Sequence, residues 1–113
     1  ERERQVLLMT SADPQRHAEV AREWGTMATQ RPVSRSNALR QLAAAARYAP
    51  PAKPPAIPLL LLASAGDRLV SPHCSALLAS QWKLALRLHP NAGHDLPLDD
   101  PDWVVAQIVG WRS

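Results

Sequence analysis

A single cysteine, Cys74, stands in the 113 residues, which excludes an internal disulfide framework and any cysteine-rich zinc pattern. Such a composition fits a reducing cytoplasm better than a disulfide-dense secreted scaffold. Long apolar runs are also missing. The longest, Ile57 to Ala63, is broken by Pro58 and falls far short of the ~20 residues that cross a bilayer, so no membrane contact is expected. The chain opens Glu1-Arg2-Glu3-Arg4, with neither a methionine nor the apolar core of a secretion signal, and is expected to be one part of something longer. Charge of one sign is scarcely in excess. Thirteen Lys and Arg against ten Asp and Glu give +3, too thin for the dense basic face of a nucleic-acid binder. The imbalance lies in residues 1 to 56, with nine basic and five acidic groups, so any basic surface belongs there. Glycine occurs only at positions 25, 66, 93 and 110.

What is present suits one modest globular domain: 46% apolar and 20% charged residues. The chain divides at Ala49 to Pro58, where five prolines in nine residues forbid helix or central strand and favour an extended linker. Before it the pattern is helical. Gln5 to Thr10 is a short apolar run. Asp13-Pro14 reads as an N-cap with proline at the first helical position, predicting a helix from Gln15 to about Met27 with Ala18, Ala21 and Trp24 or Gly25 on one face. Ser34 or Ser36 caps a second helix, Asn37 to Tyr48, where Leu39, Leu42, Ala43 and Ala46 recur at helical spacing.

After the linker the rhythm changes. Leu59 to Ala63 is apolar on successive residues and is closed by Ser64-Ala65-Gly66-Asp67, the pattern of a strand buried on both faces of a parallel sheet. Ser71-Pro72 starts a helix with an expected inward stripe of Cys74, Leu77, Leu78 and Trp82. Lys83 to His89 alternates, with Leu84, Leu86 and Leu88 on one side, as a second strand should. Asp100-Pro101-Asp102 starts a last helix with Val104, Ile108 and Trp111 on one face. Strand, helix, strand, helix implies a right-handed parallel crossover in an α/β layer fold.

In an open parallel sheet, reactive groups sit in loops at the carboxyl ends of strands. Two such loops exist. One carries Asp67 just past the first strand. The other, Pro90-Asn91-Ala92-Gly93-His94-Asp95, carries His94 after a glycine suited to a tight turn. If the strands are neighbours, acid and imidazole emerge side by side, and a carboxylate there fixes the tautomer of the ring and stabilises the imidazolium that forms when the other nitrogen takes a proton. Each residue alone has an ordinary reading, as turn carboxylate or loop histidine; the pair at successive strand ends is what raises the catalytic one.

The order strand, G-D-x-L-V-x-P, helix, strand, H-P-x-A-G-H-D and a terminal helix resembles the carboxy-terminal part of the α/β-hydrolase superfamily over residues 57 to 113. The resemblance implies a partial α/β-hydrolase fold, in which a helical cap segment, residues 1 to 56 with the Pro-rich linker, precedes the last two parallel strands and their helices. It also implies that Asp67 is the triad acid and His94 the triad base, in the chain order nucleophile, acid, histidine. No G-x-S-x-G elbow occurs in the sequence. The serine is therefore expected from a missing segment or a partner chain, and two parallel strands alone leave open edges that such a partner, or a second copy, would cover.

The implied function is an esterase-like serine hydrolase acting on a small ester or similar acyl substrate, without cofactor or metal. A non-catalytic helical binding or assembly module, or a degenerate hydrolase, is the alternative. Other candidates read as structural. His73, Cys74, His89 and His94 match no compact metal-ligand spacing; Cys74 lies inside a helix rather than on an elbow. His17 and His73 are expected on the surface, His89 in local packing, Asp95, Asp99 and Asp100 as loop or capping residues, and the four tryptophans as core anchors.

Overall fold

The computed structural model describes residues 2–112. The elements run α1 (Arg2–Thr10), α2 (Ala18–Gln30), α3 (Arg35–Arg47), β1 (Leu60–Ser64), α4 (Pro72–Trp82), β2 (Ala85–His89), α5 (Leu96–Asp99) and α6 (Pro101–Arg112). The apolar Gln5–Thr10 stretch forms most of α1, whose Leu7 is fully buried and whose last residue, Thr10, donates its hydroxyl back to the Val6 carbonyl.

Helix α2 starts later than Asp13-Pro14 suggests. Asp13 accepts only from the Arg16 N–H, and His17 and Ala18 bond three residues back to Pro14 and Gln15, so residues 14–17 form a tight turn before the helix. The N-cap is His17, whose side chain makes no capping bond. Helix α3 begins as its serine requires: Ser34 Oγ accepts from the Asn37 N–H at 3.2 Å. No residue of α3 is buried, and its Leu39 and Leu42 face solvent. Past it the proline-rich stretch has no regular structure, and one bond, from Trp82 Nε1 to the Pro51 carbonyl, ties it to the end of α4.

The two strands pair in parallel, Leu60 opposite Ala85 through Ser64 opposite His89. Helix α4 makes the crossover and packs on both strands, and α6 packs on β1. Ser71 caps α4 by accepting from the His73 N–H, and Lys83, in the left-handed conformation at φ 55°, closes it by donating to the Ala79 and Ser80 carbonyls.

Four expectations about faces are corrected. Leu60 to Ala63 are half-buried rather than enclosed on both sides, and only Ser64 is fully buried, because a two-stranded sheet with helices over part of it cannot cover both faces. On α4 the inward residues are Ser75, Leu78, Ala79 and Trp82, with Ala79 the most buried, while Cys74 and Leu77 are exposed. On α6 the half-buried positions are Trp103, Val104, Gln107 and Trp111, with Ile108 exposed, and on β2 Leu88 is exposed although Leu84 and Leu86 are not. The deepest burial gathers instead beyond the carboxyl ends of the strands, in Leu7, Ser11, His17, Ser64, Ala92 and Leu96.

Candidate functional site

Both loops leave the sheet at the same edge because Ser64 and His89, the last residues of β1 and β2, are register partners. Ser64 joins the loops: its hydroxyl donates to the Ala92 carbonyl and accepts from the Gly66 N–H, while the Ala65 N–H reaches the His89 carbonyl at 2.8 Å. Gly66 is required by proximity. A Cβ there would stand 2.5 Å from the Ala92 carbonyl oxygen and 2.9 Å from that of Asn91. The same holds for Gly93, where a Cβ would meet the Thr10 carbonyl and lie 2.8 Å from the Ala12 nitrogen. The turn chemistry expected of Gly93 is not what it supplies. None of the described glycines has positive φ, so absence of a side chain, not backbone freedom, is the reason for glycine.

Asp67 and His94 come together at this edge. His94 Nδ1 lies 2.8 Å from Asp67 Oδ2, and the other carboxylate oxygen accepts from the Leu69 N–H at 2.8 Å and the Val70 N–H at 2.9 Å. Burial pushes the Asp67 carboxyl upward, but the Val70 N–H, the bond to His94 and the Leu69 N–H outweigh it and hold the group below its ordinary 3.8. The acid is sheltered, 13% exposed, while the imidazole is 41% exposed. With Nδ1–H donated to the carboxylate, Nε2 carries the lone pair, and nothing among the described residues bonds to it. An anchored acid beside an accessible, oriented imidazole is an arrangement chemically able to take up a proton at Nε2.

The other titratable groups are arranged differently from one another. His89 is wholly engaged: Nδ1 accepts from the Asn91 and Ala92 N–H groups, Nε2–H donates to Asp100 Oδ2 at 3.2 Å, and the ring meets Trp103 edge to face at 5.0 Å. The Trp103 N–H first, then His89, hold the Asp100 carboxyl low. His73 and Cys74 are exposed on α4. His17 is not a surface residue as its helical context suggests. It is 8% exposed, and its Nε2 stands 3.4 Å from Asp99 Oδ1 without a hydrogen bond, because the turn at residues 14–17 carries it inward. Asp95 N-caps α5 without a side-chain bond.

Asp99, read from sequence as a loop or cap residue, is a junction. Oδ1 accepts from Ser11 Oγ at 2.5 Å, and Oδ2 accepts from the Ala12 N–H at 2.8 Å and the Gly93 N–H at 2.6 Å. Burial pushes this carboxyl up, yet the Ser11 hydroxyl, the two N–H groups and the nearby His17 ring bring it below the ordinary value. Its sequence context, Asp-Asp-Pro, looks like helix-start chemistry, and no local signal points to partners nearly ninety residues away. A cavity of about 780 Å³ lies between α1 and α2 against Leu7, Leu8, Ala18 and Ala21, and neither Asp67 nor His94 lines it.

Residues 2–107 match the alpha/beta hydrolase family. The chain belongs to that family. The match runs through the amino-terminal helices as well as the strands, so both sides of the proline-rich stretch share in it. No curated protein and no solved structure matches the chain. Among the described residues no helix is long and apolar enough to cross a membrane.

Proposed function

We propose that this α/β-hydrolase chain contributes the acid, Asp67, and the base, His94, of a serine-hydrolase triad in an esterase-like enzyme of the cytoplasm. Its substrate is a small ester or related acyl compound. The nucleophilic serine comes from hydrolase sequence outside these residues or from a partner chain, since the 113 residues hold no G-x-S-x-G elbow. The observation that carries the reading is the 2.8 Å contact of His94 Nδ1 with a carboxylate already held by two backbone N–H groups, with Nε2 left free.

In the reaction Nε2 takes the serine hydroxyl proton as Oγ attacks the ester carbonyl, and the imidazolium then protonates the departing alkoxide as the tetrahedral adduct collapses to an acyl-enzyme. Water repeats the cycle and releases the acid. Asp67 remains ionised throughout, orienting the ring and offsetting its positive charge. Residues 1 to 56 serve as the cap over the site, and the added segment, or a second copy, pairs with the open strand edges.

Labelling with a serine-directed phosphonate tests the assignment. In the complete protein the label should fall outside these residues and His94→Gln should abolish turnover of 4-nitrophenyl esters. The isolated chain should neither label nor exceed imidazole in solution. Stoichiometric labelling of the isolated chain, or full turnover by His94→Gln, would overturn it.

A further inference from the structure

The backbone N–H groups on either side of His94 are tied to one short stretch, Thr10 to Ala12, at the end of α1, one directly and one through Asp99. The Gly93 N–H on one side reaches Asp99 Oδ2, which also accepts from the Ala12 N–H, and the Asp95 N–H on the other side reaches the Thr10 carbonyl at 2.9 Å. Gly93 itself lies against Thr10 and Ala12 so closely that no Cβ fits. The acid arm is tied to the same stretch. Arg68, next to Asp67, donates from Nη2 to the Ser11 carbonyl at 2.8 Å and to the Leu8 carbonyl at 3.0 Å. Asp99 joins the stretch to the histidine loop: Oδ1 holds the Ser11 hydroxyl and Oδ2 holds both the Ala12 and the Gly93 N–H groups, and its side chain is 6% exposed.

We infer that Asp99 is a positioning residue for His94: by clamping Ser11 and Ala12 to the Gly93 N–H it sets where the imidazole stands and so keeps Nδ1 on Asp67. This rests on the triad reading above for its catalytic meaning, but its geometry does not. Asp99 never touches the reacting atoms. Its carboxylate supplies acceptors to the part-buried Ser11 hydroxyl and Gly93 N–H and to the Ala12 N–H. With the clamp released, the histidine loop can move away from the Ser11 turn, and the ring is no longer bound to present the same nitrogen to Asp67.

The test is a spectroscopic one on the complete protein with ¹⁵N-labelled histidine. The imidazole nitrogen shifts of His94 report which tautomer the neutral ring adopts, a property that a purely structural loss of stability does not move. Wild type should hold Nδ1–H, and Asp102→Asn, at the exposed start of α6, should match it. Asp99→Ala should give a mixture of tautomers and lower kcat with little change in KM. Asp99→Asn keeps the shape and one neutral acceptor oxygen for the Ala12 and Gly93 N–H groups but turns an NH₂ toward the Ser11 hydroxyl, and should fall between, with kcat reduced about tenfold. If Asp99→Ala does not fold, the Asn variant decides. A folded Asp99→Ala, or failing that an Asp99→Asn, with the wild-type tautomer and kcat would overturn the inference. An altered tautomer in a protein that hydrolyses no ester would leave the clamp standing and remove the triad reading alone.

Discussion

Asp67 turns one oxygen to His94 and commits the other to its own loop, accepting the Leu69 and Val70 N–H groups on Oδ1 while Oδ2 meets Nδ1. The two backbone bonds fix the plane of the carboxylate, so the direction in which Oδ2 presents itself is set before the imidazole arrives. A carboxylate on a free rotor would not define the ring in this way.

That division decides what Asp67→Asn should do. The amide keeps its oxygen on the two N–H groups and turns its NH₂ toward His94, so Nδ1 must accept and the proton moves to Nε2, where the reaction needs a lone pair. In the complete enzyme kcat should fall by about 10⁴-fold with little change in melting temperature. Asp95→Asn should leave kcat near wild type. Loss of activity in Asp95→Asn with full activity in Asp67→Asn would transfer the acid to Asp95.

Acid should destabilise the fold through the same carboxylates. Asp67 and Asp99 are both held below 3.8 in the folded chain. The unfolded state therefore takes up protons first, and the stabilisation, complete above the unfolded value of ~3.9, is lost as pH falls through it toward the lower folded values. Urea midpoints measured from pH 6 down to pH 3 should fall less steeply in Asp99→Asn than in wild type. Equal slopes would show that Asp99 binds protons alike in both states.

The glycines should respond oppositely to the same substitution. Gly66→Ala places a methyl 2.5 Å from the Ala92 carbonyl oxygen, a backbone atom that cannot rotate away, and should destabilise by about 1–3 kcal/mol. Gly25→Ala, inside α2 with nothing within 4 Å of the new methyl, should stabilise by roughly 0.5–1 kcal/mol through helix propensity. Thermal melts of the two variants distinguish these signs directly.

His89→Phe should separate packing from hydrogen bonding at the base of the histidine loop. The phenyl ring keeps the edge-to-face contact with Trp103 but accepts nothing from the Asn91 and Ala92 N–H groups and gives nothing to Asp100. A loss of about 1–3 kcal/mol in chemical denaturation is expected; an unchanged midpoint would mean that water replaces the ring nitrogens.

What could be read from sequence was what is written locally. Ser34, Ser71 and Asp100 each accept the N–H that a cap should, and the Leu-rich and alternating runs became the two parallel strands within a residue or two of their expected ends. Asp67 and His94 could be singled out because each stands in the loop that follows a strand, and strand ends are legible. The facing of helices was not. Cys74 and Leu77 fit a helical stripe as well as Ser75 and Ala79 do, and only the packing of α4 on the two strands decides which pair turns inward. Nor could His17 and Asp99 be paired, since both stand in ordinary cap-like contexts and their meeting depends on where α1 ends.

The tie between Asp99 and Ser11 also gives the site an order of assembly. Asp67 and His94 are separated by 27 positions along the chain and are brought together by one strand–helix–strand unit, whereas Ser11 and Asp99 are separated by 88. Closing the longer loop costs ~1 kcal/mol more chain entropy than closing the shorter one. On chain entropy alone the Asp67–His94 pair is therefore the cheaper encounter and the Ser11–Asp99 tie the dearer, so the first is expected to form within a local unit and the second only when the two ends of the chain have found each other.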